Sequence, residues 1–244
     1  MNHEVLNAKL AAQYLNILQS ADLQALYTET NTYSGMFLPA VSENYLAAPK
    51  KVMIVGKETR TWCDADCVIK LAKAANIVDV TATMERYQKY LLSPLKTSKF
   101  MQFYKAANIY LSRGTKYLPS AAVWSNLFSV SSAGKSPVGT DNFELVSQLS
   151  RQLLTAQIEI LEPDAIIFTT GTGYDKYLKT FFPGRTHSQA ITPRALWAFK
   201  IDGVQCYRTS HPQWERGRVW REQALSRVMH GSEVASSKNS LSIA

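Results

Sequence analysis

Residues 51–62 read KVMIVGKETRTW. The first half, VMIV, is a short unbroken apolar run, the pattern of a parallel strand buried on both faces. Gly56 breaks the run, and a polar segment follows that carries one carboxylate, Glu58, between Lys57 and Arg60. A strand over 51–55 would therefore deliver a lone acid to its carboxyl end. In open α/β sheets that is the edge where ligands bind.

Outward from this strand, the chain alternates helix and strand patterns. Leu6, Leu10, Tyr14, Leu15 and Leu18 recur at helical spacing, which predicts an amphipathic N-terminal helix. Residues 29–50 read as loop, residues 63–75 and 83–92 as helices, and residues 97–112 as a helix with Phe100, Phe103, Tyr104 and Ile109 on one face. AAVWSNLFSV (121–130) is a second strand, SSAGKSPVG (131–139) a turn-rich loop, and 143–161 a long helix striped by Leu145, Leu149, Leu153 and Ile160. Pro163 ends that helix; Ala165 to Thr169 form a strand, and a helix starts near Tyr174. ALWAFKIDGVQCYRTSHP (195–212) predicts a hairpin turning at Asp202-Gly203. A last helix covers 217–230. The alternation implies a three-layer α/β/α domain with a mainly parallel sheet over residues 1–230. The Ser-rich segment 231–244 is expected to be disordered.

Composition narrows the partners. The 244 residues carry 27 basic and 19 acidic side chains, a formal net charge of +8, which favours a polyanion such as nucleic acid. No segment has the length of a membrane span and no signal-peptide pattern opens the chain, so a cytoplasmic protein with reduced thiols is expected. Cys63 and Cys67 are four apart, a spacing that suits one helix face. Two ligands do not close a zinc site, none of the four histidines stands at ligand spacing to them, and an iron–sulfur cluster takes four cysteines. No metal and no cofactor is expected.

Four of the predicted strands end in polar or glycine-bearing segments: GKET (56–59), SN (125–126), TTGTG (169–173) and TSHP (209–212). In this order they resemble the uracil-DNA glycosylase superfamily over residues 50 to 230. That family places an acid just after the glycine that ends its first central strand, a base-reading Asn on a middle strand, a glycine loop before a helix, and a His-Pro after a late strand. The matching positions are Gly56-Lys57-Glu58, Asn126, Gly171-Thr172-Gly173 and His211-Pro212. The resemblance implies a monofunctional, metal-free DNA glycosylase, with Glu58 and His211 catalytic and Asn126 reading the base.

The residue types suit that chemistry. Breaking an N-glycosidic bond builds positive charge on the sugar, which a carboxylate stabilises while it orients water. A His donor stabilises the departing base. Asn offers donors and an acceptor to a base edge. Taken singly, Glu58 would read as a helix N-terminal acid, His211 as a strand-end His satisfied by backbone, and Asn126 as a turn residue. An enzyme that extrudes a base also needs aromatic surfaces. Trp62, Trp124, Phe128 and Trp214 are the stacking candidates, and Lys57, Arg60, Trp62 and Phe128 join Asn126 in the base-binding set.

For the DNA strand, backbone N–H groups of Gly171, Thr172 and Gly173 could meet phosphate, as could Gly134, Lys135 and Ser136. QWERGRVW (213–220) matches the place where the family inserts a wedge; Trp214, Arg216 and Arg218 suit a wedge with phosphate contacts. Where classical uracil enzymes carry an aromatic gate against the C5-methyl of thymine, this chain has Arg60. A C5-substituted pyrimidine is thus the favoured base, as for anti-phage glycosylases of this superfamily that remove glucosylated hydroxymethylcytosine. The partner is DNA, duplex or single-stranded, met by a monomer. The alternatives are a non-catalytic reader of modified bases and a hydrolase of free nucleosides or nucleotides.

Overall fold

The computed structural model describes residues 2–28, 33–63, 66–93, 98–112 and 118–231. The predicted tail therefore lies outside the described residues, apart from Gly231.

Three helices come first: α1 (His3–Ser20), α2 (Leu23–Leu26) and α3 (Glu43–Ala47). β1 (Val52–Glu58) follows, then α4 (Val68–Ala72), α5 (Ile77–Leu92) and α6 (Lys99–Leu111). β2 (Ala122–Phe128), α7 (Phe143–Leu161), β3 (Ala165–Phe168) and α8 (Asp175–Phe181) form the middle of the chain. β4 (Thr186–Thr192), β5 (Leu196–Ile201), β6 (Val204–Arg208) and α9 (Arg218–His230) close it.

The six strands make one mixed sheet in the order β2-β1-β3-β6-β5-β4. β2, β1, β3 and β6 are parallel, and β5 and β4 extend the sheet antiparallel. In β1, Val52 to Val55 are fully buried, as are Ile166 to Phe168 of β3. Continuous apolar runs of this kind belong to strands covered on both faces. Consecutive residues of β2 show the two covers: Ser125 bonds Gln157 of α7, while Trp124 packs on Tyr87 of α5 and Phe100 of α6. Successive side chains of a strand point to opposite faces, so helices lie on both sides, consistent with a three-layer α/β/α arrangement.

The predicted hairpin is present, and Asp202 and Gly203 both have positive φ, 47° and 85°. That is the pair of conformations a two-residue type I′ turn requires. Sequence reading needs several corrections. β1 runs three residues beyond Val55, so Glu58 ends a strand, and the next helix starts only at Val68. On α6 the buried side is Met101, Tyr104, Ala107, Asn108 and Leu111, whereas Ile109 is exposed. Cys63 sits in a turn at φ 52° and Cys67 precedes α4, so the two share no helix face. β4 falls in a stretch to which the sequence assigns no element.

Candidate active site

The carboxyl ends of the four parallel strands form one rim. At its centre Gly56 of β1 lies opposite Asn126 of β2. A methyl on Gly56 would overlap Asn126 Oδ1 and come within 3.2 Å of the Phe100 ring. The glycine is there because the Asn side chain crosses over it. Asn126 is 6% exposed. Its Oδ1 accepts a hydrogen bond from Trp124 Nε1 at 3.2 Å, and an indole N–H can only donate, which fixes the amide orientation. Nδ2 is left buried with no protein partner.

Two residues on, Glu58 is half-buried and accepts a hydrogen bond from the Tyr174 hydroxyl at 3.0 Å. Tyr174 Oη lies equally close to Ser136 Oγ. A phenol has one proton; with the carboxylate taking it, the Ser136 hydroxyl is left to donate toward the phenol oxygen. Lys57 Nζ stands 4.9 Å from the Tyr174 ring centroid. Burial raises the Glu58 pKa above the ordinary carboxylate value, against the Tyr174 hydrogen bond and the nearby Lys57 and Arg60 charges.

His211 comes from the loop after β6. Burial, reinforced by Lys57, Arg221 and Arg60, pushes its pKa down to about 4. The imidazole is therefore neutral at pH 7. Its Nδ1 accepts from the Gln213 backbone N–H at 3.2 Å, which places the ring proton on Nε2, free to donate. Lys57 and Arg60 bear on both Glu58 and His211, so the acid and the imidazole share one electrostatic neighbourhood. Gly171 closes the rim from β3: its N–H donates to Thr209 O at 3.0 Å, and its Cβ position is 3.8 Å from His211 N.

Unsatisfied polar atoms gather here. Thr59 Oγ1, Trp62 Nε1, Asn126 Nδ2, Thr170 Oγ1 and Thr209 Oγ1 are all buried without a protein partner. Asn126 lies near the end of β2, while Thr59 and Trp62, Thr170 and Thr209 follow the ends of β1, β3 and β6. Buried orphans are rare in folded chains and each asks for a reason. A polar ligand at the rim supplies one. The apolar cavity of about 220 Å³ between Tyr45, Tyr87, Leu91 and Val123 has no carboxylate, histidine or cation in its lining, and belongs to the other end of the sheet. No protein-family model and no curated protein matches the chain.

Among the predicted residues, Glu58, Lys57, Arg60, Asn126, Ser136 and His211 converge on this rim. Ser136 does so as a partner of Tyr174. Phe128 does not present a surface: it is fully buried against Phe143, Tyr174, Tyr177 and Phe181, and a base cannot stack on it. Trp62 and Trp124 are buried in one aromatic cluster with Phe37 and Tyr90. Phe100, half-buried beside Gly56 and tilted on Trp124 at 5.2 Å, is the ring that reaches the Asn126 step. The N–H of Gly171 is used internally, which leaves those of Thr172 and Gly173. Gly134 (φ 70°) and Lys135 belong to a tight turn in which Ser132 and Lys135 exchange both backbone hydrogen bonds, and the Lys135 side chain is exposed.

The loop after His211 is held by a residue that no sequence pattern singles out. Arg221 of α9 is buried and donates to Ser210 Oγ, His211 O and Trp214 O at 3.0–3.2 Å. Gly217 packs so closely on Ser210 and Trp214 that no side chain fits. On this anchored loop Trp214 is 51% exposed, and Arg216 and Arg218 are exposed, Arg218 paired with Glu222. Lys99, at the start of α6, pairs with Glu215 at 2.5 Å and ties the loop to the helix that carries Phe100.

Proposed function

We propose that the chain is a monofunctional DNA glycosylase of the uracil-DNA-glycosylase-like kind, acting in the cytoplasm on a non-standard pyrimidine. The observation that carries this reading is the trio on one rim: a desolvated carboxylate, a neutral imidazole whose Nε2 proton is free, and a buried amide donor with nothing to bind. The acid and the base-side groups are the two halves that N-glycosidic cleavage needs.

In the proposed reaction the bond between the sugar C1′ and the base nitrogen breaks, and its electron pair leaves with the base. Negative charge spreads to the base oxygen, where the His211 Nε2–H donates; a preorganised donor of this kind is worth about 10²–10³-fold. The sugar is left as an oxocarbenium-like cation facing Glu58. Water adds to C1′ and its proton passes to the carboxylate, general-base help worth about 10²–10⁴-fold. Tyr174 and Ser136 hold Glu58 in place, and its raised pKa makes it a better base. The products are the free base and an abasic site.

Asn126 Nδ2 would donate to an acceptor on the base edge while Phe100 covers a ring face. An Oδ1 already bonded to Trp124 keeps a second lone pair for a base N–H. The exposed Arg60, at the position of the family's aromatic gate, supports a pyrimidine with a large C5 group.

The deciding experiment incubates the protein with DNA containing uracil, mismatched thymine, hydroxymethylcytosine or glucosylated hydroxymethylcytosine, followed by alkaline cleavage at abasic sites. Release of a C5-modified base at or above the rate for uracil is expected. Binding of a modified base with no release from any substrate would instead make the chain a reader.

A further inference from the structure

A second cationic site lies beside the rim, outside the machinery described above. It is a cavity of about 290 Å³ between α8 and the β4–β5 hairpin, lined by Lys179, Arg185, Arg194, Arg208, Asp175 and Trp197. Four cations thus face one carboxylate. Arg208, 4% exposed, consumes that carboxylate: its Nε and Nη2 reach the two Asp175 oxygens at 2.7 and 2.9 Å, and its Nη1 donates to the Arg194 and Ala195 carbonyls. Arg185 donates to the Lys179 and Phe182 carbonyls at the end of α8. Trp197, stacked on Phe199 at 4.2 Å with Nε1 donating to Ser188, holds the floor. Its ring has Lys179, Arg185 and Arg208 at 5.7–6.0 Å.

Folding explains Arg208 and Arg185, which satisfy buried backbone carbonyls. Lys179 and Arg194 are held more loosely: Lys179 stands in the last turn of α8, over the Trp197 ring and close enough to Asp175 for their charges to interact. Both are exposed, neither forms an ion pair among the described residues, and their side chains make no described hydrogen bond. Asp175 is the one carboxylate in the lining and Arg208 already holds both its oxygens, so the four cations leave an excess of positive charge that a bound anion would offset. The position says which anion. Asp175 directly follows Tyr174, the partner of Glu58, and Arg208 precedes His211 by three residues and pairs with Phe168 across the sheet.

We propose that this pocket binds a backbone phosphodiester of the DNA strand, beyond the nucleotide held at Glu58. Lys179 and Arg194 contact the phosphate, and Arg208 and Trp197 position them. The proposal rests on the glycosylase reading for its ligand, and its test is separable from that reading.

The full-length protein and a Lys179→Gln/Arg194→Gln variant are compared by fluorescence anisotropy on a single-stranded oligonucleotide across a salt series. The variant removes both charges while keeping polar side chains at two exposed positions, and should melt within a degree or two of the parent. Its log–log salt slope should be shallower by about 0.7–1.4, the counterions of one or two single-strand phosphates. A set of oligonucleotides with one neutral methylphosphonate each should contain a linkage that weakens the parent and leaves the variant unaffected. Equal slopes, or identical methylphosphonate profiles, overturn the proposal. Binding of inorganic phosphate or a nucleoside monophosphate that the variant loses, with DNA slopes unchanged, assigns the site to a free phosphate compound and overturns the strand assignment. A shallower slope with no base released from any substrate would sink the glycosylase reading and leave this site standing; base release with equal slopes does the reverse.

Discussion

At the amino-terminal ends of β1 and β2, side chains bond the exposed backbone groups. Asn108 Oδ1 accepts from the Ala122 N–H at 2.8 Å, Tyr104 donates to Ala122 O at 2.6 Å, and Asp164 receives the Lys51 N–H at 2.8 Å. At the carboxyl ends of the parallel strands, Thr59, Trp62, Asn126, Thr170 and Thr209 hold buried polar atoms that no protein group meets. The two ends of one sheet differ in how many of their buried polar side-chain atoms are met by protein. The first arrangement stabilises the edge strand β2. The second stores unmet hydrogen bonds, each costing about 1–3 kcal/mol, that a ligand can recover.

The largest test of this contrast is Glu58→Gln. Base release should fall by about 10²–10⁴-fold while DNA binding is kept, measured as a single-turnover rate beside a dissociation constant. Stability should move the other way. Burial raises the Glu58 pKa, so the fold disfavours its charge, and the native protein loses stability as pH rises through that raised pKa. The Gln variant should therefore melt higher than the parent at pH 7, and the gap should close as pH falls toward the ordinary carboxylate range. At about 2–4 °C per kcal/mol for a chain of this length, the difference is readable in a melting series. A variant that melts lower at every pH would place Glu58 among the stabilising groups.

On the proposed glycosylase reading, the same shifts set the pH dependence of base release. Base release should fall on the acid side with one titration, above the usual carboxylate value, because Glu58 must be ionised. His211, lowered to about 4, stays neutral through that range. In stability its sign is opposite to that of Glu58. The unfolded imidazole takes a proton near 6.5 and the folded one resists until about 4, so stability is lost as pH falls across that window. His211→Asn should lessen this acid loss. An unchanged acid limb of the stability curve in that variant would mean that His211 is solvated.

A paired substitution then sets the two ends against each other. Asn126→Ala, at the open end, should lower the rate roughly ten- to hundredfold, the value of a donor worth about 1–3 kcal/mol. Asn108→Ala, at the closed end, should leave the rate per folded molecule unchanged and cost about 1–3 kcal/mol of stability, because the Ala122 N–H loses its acceptor. Gly56→Ala should copy Asn126→Ala in rate, since the added methyl displaces the same amide. If Asn108→Ala were the catalytically damaged variant, the division between the ends would be wrong.

This contrast also explains what was readable in the sequence. β1, α7 and the Asp202-Gly203 hairpin were legible because periodicity, the Gly56 break and turn chemistry are local signals. The rim positions of Glu58, Asn126 and His211 were legible because the first two lie near the ends of recognisable strands and the third follows one. β4 was not: THSQAIT is polar and mostly exposed, and its pairing to β5 contains two register shifts, so its partner specifies it more than its own side chains do. Tyr174 and Arg221 were missed for a different reason. Tyr174 reaches Glu58 across 116 residues, and Arg221 looked like one more charge on a basic helix until the fold turned it inward. Phe128 and Phe100 exchanged roles because aromatic composition does not say which ring the aromatic core absorbs.

The smallest expected effect concerns the loop that Arg221 anchors. Trp214 is half-exposed, its carbonyl accepts from Arg221 and from the Gly217 N–H, and one edge of its indole rests on Gly217. Removing the indole should leave stability within about 0.5 kcal/mol, as for other surface changes. If the indole wedges into the gap left by an extruded base, it offsets unstacking, which costs a few kcal/mol per step, roughly. A single strand has little stacking to break. Trp214→Ala should then slow excision from duplex DNA several-fold more than from a matched single strand, in single-turnover assays. Arg216→Ala with Arg218→Ala should act without that preference, weakening binding to every sequence and flattening the salt dependence by about 1–2 units of log–log slope. The Arg218 share should be the lesser, because Glu222 already holds its guanidinium at 2.7 Å. Equal slowing of duplex and single-strand excision by Trp214→Ala would move the indole from the wedge to the base pocket, and the rim would then extend to α9.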